Sequence, residues 1–491
     1  MEMLVTAALI VVLAHLALGV ILWLRVRKLY SYPGLLGFPV IGNLYYFYRT
    51  LFLGSMDSME KYMVRIAEKY GKNGMCFHWV YGFRTSMIVA SPHVVQEIAF
   101  HPNLTDKPYS MYGGFTPYSS GPFASSRADD LWKLKRKEYN SCLKRSHVDS
   151  YYYNVFIKCA DKVVDLMLAT SCSVDLHPKT IGVTQHATVE SLFGVETSLV
   201  YHPDVIKVMT QVIDIGSFIW ANPKLAEILL TILRPIDAFF FGKLADLRKS
   251  IVKGIENTLV MDECRIPERS LSMQIALRNI KYNGSQNTLK TELEELFFTS
   301  SHPLSSALSN SIVFLALLPD IQERAFQEQY EIFRNDNRDP TIDDLEQMQF
   351  LDRFIKESFR FLSPPFIGKL ATGDINIDGI TIPSGAIVVF LLKSMRMDPN
   401  HWKNPNIFDP DRFLEENDTL KHSYSPFGIG IRSCPGMYFA TLLMKITLSK
   451  ILRRLKLKPV QKNFRFKDIH YKCCIMTELV NPPELQVEER A

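Results

Sequence analysis

Residues 425–440 read SPFGIGIRSCPGMYFA, and an apolar stretch with helical spacing, TLLMKITLSKIL, follows at once. The segment is a glycine-containing loop that delivers Cys434 to the start of a helix. A helix N-terminus offers free N–H groups and the positive end of the dipole. Both favour a thiolate over a thiol. Gly428, Gly430 and Gly436 let the backbone fold tightly beside a large flat ligand. Arg432, two residues before the cysteine, can reach a carboxylate of that ligand.

The rest of the chain has to build a pocket behind this loop. With 491 residues it is long enough for a large core. A net charge of +5 with no basic tail argues against a nucleic-acid binder. The eight cysteines form no C-x-x-C pair and no disulfide ladder, which suits a reducing compartment. Residues 3–24 are apolar apart from Thr6 and His15, and Arg25, Arg27 and Lys28 follow. This pattern predicts a transmembrane helix whose basic flank keeps the following domain in the cytosol. The sequons at Asn103, Asn283 and Asn417 are then expected to stay unglycosylated. The segment YPGLLGFPVIGN is a stiff, turning connector. The expected division is an anchor with its basic flank over 1–28, a proline/glycine hinge over 29–44, and one domain over 45–491.

Helical spacing dominates that domain. It predicts a helix over 319–333 and another from Thr341, where Asp344 is a weak capping-box partner. Short β-branched runs in INIDGITIPSGAIVVFL predict strands over 375–391. Residues 398–413, rich in proline and asparagine, predict a meander. The fold class is mainly α, a large helical domain with a small β subdomain.

The cysteine loop fills every fixed position of F-x-x-G-x-R-x-C-x-G, with Phe427, Gly430, Arg432, Cys434 and Gly436. It resembles the haem-binding loop of the cytochrome P450 superfamily. The resemblance implies the cytochrome P450 fold, haem b, and Cys434 as the axial thiolate, an arrangement that favours O–O cleavage. Glu357-Ser-Phe-Arg360 is similar to that family's E-x-x-R, and Arg412 in FDPDRF to the arginine that joins the pair. Trp132-Lys-Leu-Lys-Arg136 is similar to its W-x-x-x-R, which implies that the indole and the guanidinium hold a haem propionate. Lys369, after SPPFIG, is a further propionate candidate. The strongest similarity is to the animal (insect-type) family 4 branch of microsomal haem-thiolate monooxygenases.

One stretch departs from the pattern. In this family a central helix crosses the distal haem face with a core of A/G-G-x-D/E-T-T. Here the aligned stretch is TSSHPLSSALS, residues 299–309. His302 takes the acid position, Pro303 the first threonine and Leu304 the second. Thr299 replaces the glutamate that ester-links haem in many family 4 enzymes, so a covalent haem link is not expected. Leu304 cannot donate or accept a hydrogen bond. Pro303 frees the carbonyl of Thr299 and can widen the helix. Ser301, His302 and Ser305 are the candidate replacement proton relay, with a satisfied helix histidine as the plain alternative for His302.

Three functional readings follow from the resemblance. One is a haem-thiolate monooxygenase of the endoplasmic reticulum membrane. It would oxidise a lipophilic small molecule (fatty acid, hormone, terpenoid or xenobiotic) with O2 and electrons from NADPH-cytochrome P450 reductase, cytochrome b5 being an optional second donor. The second is a haem-thiolate peroxide isomerase or dehydratase, and the third a non-catalytic haem-binding paralogue. Lys133, Lys135, Lys137, Lys144 and Arg145 form a basic patch suited to an acidic reductase, or simply a solvated helix face. The aromatic loop over 106–125 is expected to roof the substrate pocket, and the apolar run over 218–242 to dip into the bilayer or to lie in the core.

Overall fold

The computed structural model describes residues 2–26, 33–35, 43, 56–78, 85–112, 127–169, 176–195, 198–203, 205–206, 270–282, 284, 286–334, 336–414, 423–473 and 475–490. Most of the hinge, the roof loop over 113–125 and the apolar run over 218–242 lie outside the described residues.

The principal helices are α1 (Glu2–Val26), α2 (Met56–Tyr70), α3 (Pro92–Ile98), α4 (Asp130–Leu143), α5 (Tyr153–Leu168), α6 (Leu176–Thr188), α7 (Leu271–Lys281), α8 (Gln286–Leu317), α9 (Pro319–Phe333), α10 (Gln349–Leu362) and α11 (Met437–Arg454). The strands are β1 (Met75–His78), β2 (Ser86–Val89), β3 (Ile367–Leu370), β4 (Ile375–Ile377), β5 (Ile380–Ile382), β6 (Ile387–Phe390), β7 (Leu455–Pro459), β8 (His470–Cys473), β9 (Thr477–Val480) and β10 (Leu485–Glu489). The described chain is mostly helical, with one four-stranded sheet and three two-stranded ones.

In α1 the described stretch Leu9–Ile21 is apolar, and its large side chains stand exposed. Among the described residues no single helix is long and apolar enough to cross a membrane.

Sequence-distant strands make the main sheet, in the order β1-β2-β6-β3. β2 runs parallel to β6, with Val89 opposite Phe390, and β3 returns antiparallel, with Lys369 opposite Val388. β1 and β6 are buried along their whole length, which their β-branched, aromatic and sulfur-bearing side chains allow. Between β4 and β5 the turn is Asp378-Gly379, both at positive φ, the preferred chemistry for a tight hairpin.

The main core lies among α5, α6, α8, α10 and α11. α8 has 32 residues and so spans about 48 Å. It continues as α-helix straight through Pro303. Its neighbour brackets the proline: Thr184 of α6 donates to the Ser301 carbonyl at 3.1 Å and Thr180 to the Ser305 carbonyl at 3.4 Å. Packing against α6 thus holds the two turns that the missing N–H weakens. α11 crosses the same core, its Phe439 edge-on to Phe156 of α5 with ring centroids 4.7 Å apart. At Thr341 the capping box with Asp344 is fully formed.

Candidate functional site

The cysteine loop enters α11 through two glycine turns. Gly428 and Gly430 have φ of +82° and +67°. A Cβ at Gly430 would sit 2.1 Å from the Ala99 carbonyl oxygen and 2.8 Å from Lys369 Nζ, so only glycine fits there. The Cys434 N–H donates to the Phe427 carbonyl at 2.8 Å, and Gly436 forms the N-cap of α11. Phe427 packs edge-on against Phe359 of α10, with centroids 5.0 Å apart, which fixes the loop to the core.

Cys434 is accessible to a water-sized probe yet lies deep in the protein, as a residue facing an internal cleft does. Burial pushes its thiol up, opposed by the Gly436 N–H and by the charges of Arg136 and Lys107. The helix start therefore pulls toward thiolate as its sequence context implies, but burial outweighs it. Coordination to a metal cation reverses that balance.

Four cations surround the cleft. Arg136 of α4 donates to the Ser433 carbonyl. Arg432 donates from Nε to the Thr105 carbonyl at 2.9 Å, and its guanidinium lies 4.2 Å from the centre of the Trp132 ring. Lys369 of β3 donates to the Ala99 carbonyl at 3.2 Å. Lys107 Nζ sits over the Tyr112 ring at 4.7 Å. Burial and the neighbouring charge of Arg432 lower Lys107 to about 7, with Arg136 and Lys369 adding to the effect. Lys369 falls to about 8 through burial and Arg432. Arg432 falls to about 10, mainly through burial. Crowding four cations costs stability unless anions join them. A planar ligand with two carboxylates and a thiol-seeking metal fits this set: glycines against a flat face, cations for the carboxylates, Cys434 for the metal.

Behind the loop, Glu357 and Arg360 of α10 are fully buried. Glu357 accepts from Arg360 at 2.8 and 2.9 Å, from Arg412 Nε at 3.0 Å and from the Asp409 N–H at 3.0 Å. Arg360 continues to the carbonyls of Arg396 and Pro405, and Arg412 to those of Lys403 and Ile407. The cluster pins the 398–413 meander onto α10.

On α8, Thr299 is exposed in the middle of an otherwise buried stretch, with Ser300 and Pro303 half-buried beside it. These positions mark the open face of the helix. Leu304 is buried. Ser301 and Ser305 turn back to their own helix, donating to the Phe297 and His302 carbonyls. His302 faces another way, its Nε2 lying 3.5 Å from Glu478 Oε1 on β9. The structure brings Cys434, Arg136, Arg432 and Lys369 to one cleft, and it directs Ser301, His302 and Ser305 to separate partners.

The family model for cytochrome P450 matches residues 33–483. The chain belongs to the cytochrome P450 family. It is 26% identical to cytochrome P450 4c21 of Blattella germanica, with 95% of each chain covered. It is also 26% identical to probable cytochrome P450 313a4 of Drosophila melanogaster, with 96% of each covered. Over 39% of each chain it is 32% identical to human cytochrome P450 3A5. Its similarity to insect members places it among the family-4-like P450s. Membership implies haem with cysteine thiolate ligation, general monooxygenase chemistry and redox partners.

Two features of this P450 are not visible in its sequence. Lys107 stands in an aromatic loop otherwise suited to a roof, and a lone Lys-Pro there carries no spacing signal. Lys135 leaves the basic patch: its amine is buried 2.9 Å from Glu292, which Arg278 also engages. The remaining patch is Lys133, Lys137, Lys144 and Arg145, with Lys133 paired to Asp130 and Arg145 to Glu346 and Asp149.

Proposed function

We propose that this P450 is a membrane-anchored haem-thiolate monooxygenase that oxidises a lipophilic small molecule. Bound haem supplies the one-electron and dioxygen chemistry. Cys434 would hold it by the metal, and Arg136, Arg432, Lys369 and Lys107 would hold its carboxylates, with Trp132 stacked on Arg432. Glu357, Arg360 and Arg412 keep the loop in place, and Phe427 wedges it against α10. The observation that carries this reading is a thiol at a helix start beside a cluster of four cations that Asp106, Asp129 and Glu295 offset only in part. The anchor is α1, with 29–44 as hinge and 45–491 as the catalytic domain on the cytosolic side of the endoplasmic reticulum. Electrons come from NADPH through the reductase, docked on Lys133, Lys137, Lys144 and Arg145.

The test is reconstitution with reductase, NADPH and a fatty-acid panel, measuring product, NADPH consumed and peroxide released. Oxygenated product from at least one lipophilic substrate is expected. Complete diversion of electrons to peroxide would refute the monooxygenase reading. A second reading has its own support, because Leu304 offers no proton and the hydroxyls of Ser301 and Ser305 are committed to backbone carbonyls. It is a rearrangement of a fatty peroxide, which needs no external proton. Rapid turnover of a fatty hydroperoxide without NADPH, together with no NADPH-dependent product, would favour it.

A further inference from the structure

Beside the cation cluster three helices meet, and a chain of four charges that starts and ends on α4 ties them together. Lys135 of α4 lies 2.9 Å from Glu292 of α8. Glu292 accepts at 2.6 Å from Arg278 of α7, whose Nε donates to Glu138 of α4 at 3.0 Å. Lys135 and Glu138 are three residues apart, on one face of α4. Glu292 is the centre of the chain, its side chain 1% exposed and engaged by both cations. Glu138 is the softer corner. Burial raises it to about 7 against the pull of Arg278, so near neutral pH it is only partly ionised.

The same helix carries two groups of the cleft. Arg136 donates to the Ser433 carbonyl, and Trp132, one turn earlier, lies against Arg432. Lys135 directly precedes Arg136, so its side chain leaves the helix about 100° away around the axis. Holding Lys135 therefore holds the roll of α4 about that axis. A roll of about 10° would carry a guanidinium at a radius of about 6 Å by about 1 Å, enough to lose a hydrogen bond. One turn on from Glu292, the charge of Glu295 acts on Lys107. This part of α8 thus borders the cluster that a roll of α4 would disturb.

We propose that Glu292 is a positioning residue of the cleft: through Lys135 it sets the roll of α4, and with it the aim of Arg136 and Trp132 at a carboxylate of the bound group. The inference rests on the reading in which these residues hold a haem carboxylate. Burial suits the pair to this task. Lys133 and Lys137 of the same helix are exposed, whereas Lys135 and Glu292 are both nearly out of solvent. Their attraction is therefore little screened by salt. Without the pair, α4 keeps its cap at Asp129 and its packing through Tyr139 and Cys142. Its fold survives, but its roll is then set mainly by apolar contacts, which have no direction.

The test is haem loss from the full-length holoprotein, loaded in parallel with haem and with haem dimethyl ester, whose carboxylates carry no charge. Transfer to excess apomyoglobin gives each rate. Wild type should lose the ester at least about tenfold faster than haem, which is the worth of one charge-assisted hydrogen bond. Glu292→Gln should speed haem loss about tenfold and leave ester loss within about twofold. Lys135→Met leaves Glu292 paired with Arg278, so it spares the buried carboxylate, and it should show the same selective effect. Lys135→Arg should keep the wild-type rates. A merely structural role would speed the loss of both groups alike. That result, or unchanged haem loss in both Glu292→Gln and Lys135→Met, would overturn the proposal. If the wild type itself loses haem and ester at one rate, carboxylate holding by the cleft fails, and the positioning role falls with it. If the wild type discriminates and the variants discriminate equally well, only the positioning role falls.

Discussion

Glu357→Gln is the most demanding test of how the core is held together. The substitution keeps the shape of the side chain and removes one negative charge. Among the described residues Glu357 is the only carboxylate that pairs with Arg360 and Arg412, and beside them is the fully buried Arg396, whose guanidinium burial and the charge of Arg360 lower to about 9. An ion pair at about 4 Å is worth about 4 kcal/mol at an effective dielectric of 20. Removing one partner of a buried pair costs about 3–5 kcal/mol. The two estimates agree, and Glu357→Gln should destabilise the protein by that amount. Arg412→Ala should cost less. It leaves Glu357 with Arg360, removes a charge-assisted bond worth about 1.5–3 kcal/mol, and lowers the net positive charge of the cluster. Urea midpoints of the detergent-solubilised holoprotein, followed by circular dichroism, measure both. Glu357→Gln should also convert the thiolate-type reduced-CO band to the inactive form, because the meander it pins leads into the cysteine loop. A Glu357→Gln protein within about 0.5 kcal/mol of wild type, or more stable than Arg412→Ala, would refute the charge argument.

Cys434→Ser should abolish the thiolate-type reduced-CO band while leaving the circular dichroism unchanged. Gly430→Ala should lose haem content, because the new methyl meets the Ala99 carbonyl and Lys369 Nζ; pyridine haemochrome assay of purified protein measures it. Lys107 has a folded value near 7, below its unfolded one, so between about pH 7 and 10 the unfolded chain binds the extra proton. Stability of the haem-free protein should therefore rise with pH across that window. Lys107→Met should flatten the rise, which urea midpoints at several pH values would detect.

What could be read in advance divides by distance along the chain. The cysteine loop was legible because its glycines, arginine, cysteine and helix start are contiguous. The Glu357–Arg360 pair was legible because i,i+3 spacing puts both groups on one face. Lys107 was not, since its role arises only where β3, α4 and the loop converge. Nor was the partner of His302, because no local pattern connects a helix residue to a strand so far downstream. Pro303 was visible as a break in the hydrogen-bond ladder. Its accommodation was not, since it depends on two threonines of α6.

The four cations of the cleft also set an order of events during synthesis. Lys107 and Arg136 emerge early, Lys369 much later and Arg432 near the end. Translation at about 5–20 residues per second separates the first from the last by roughly twenty seconds to a minute. For most of that interval β1 and β2 have no β6 to pair with, and the early cations have no counter-charge from the missing ligand. The pocket closes only when the last fifth of the chain arrives. A ligand that neutralises this cluster would then be a folding partner as much as a reagent.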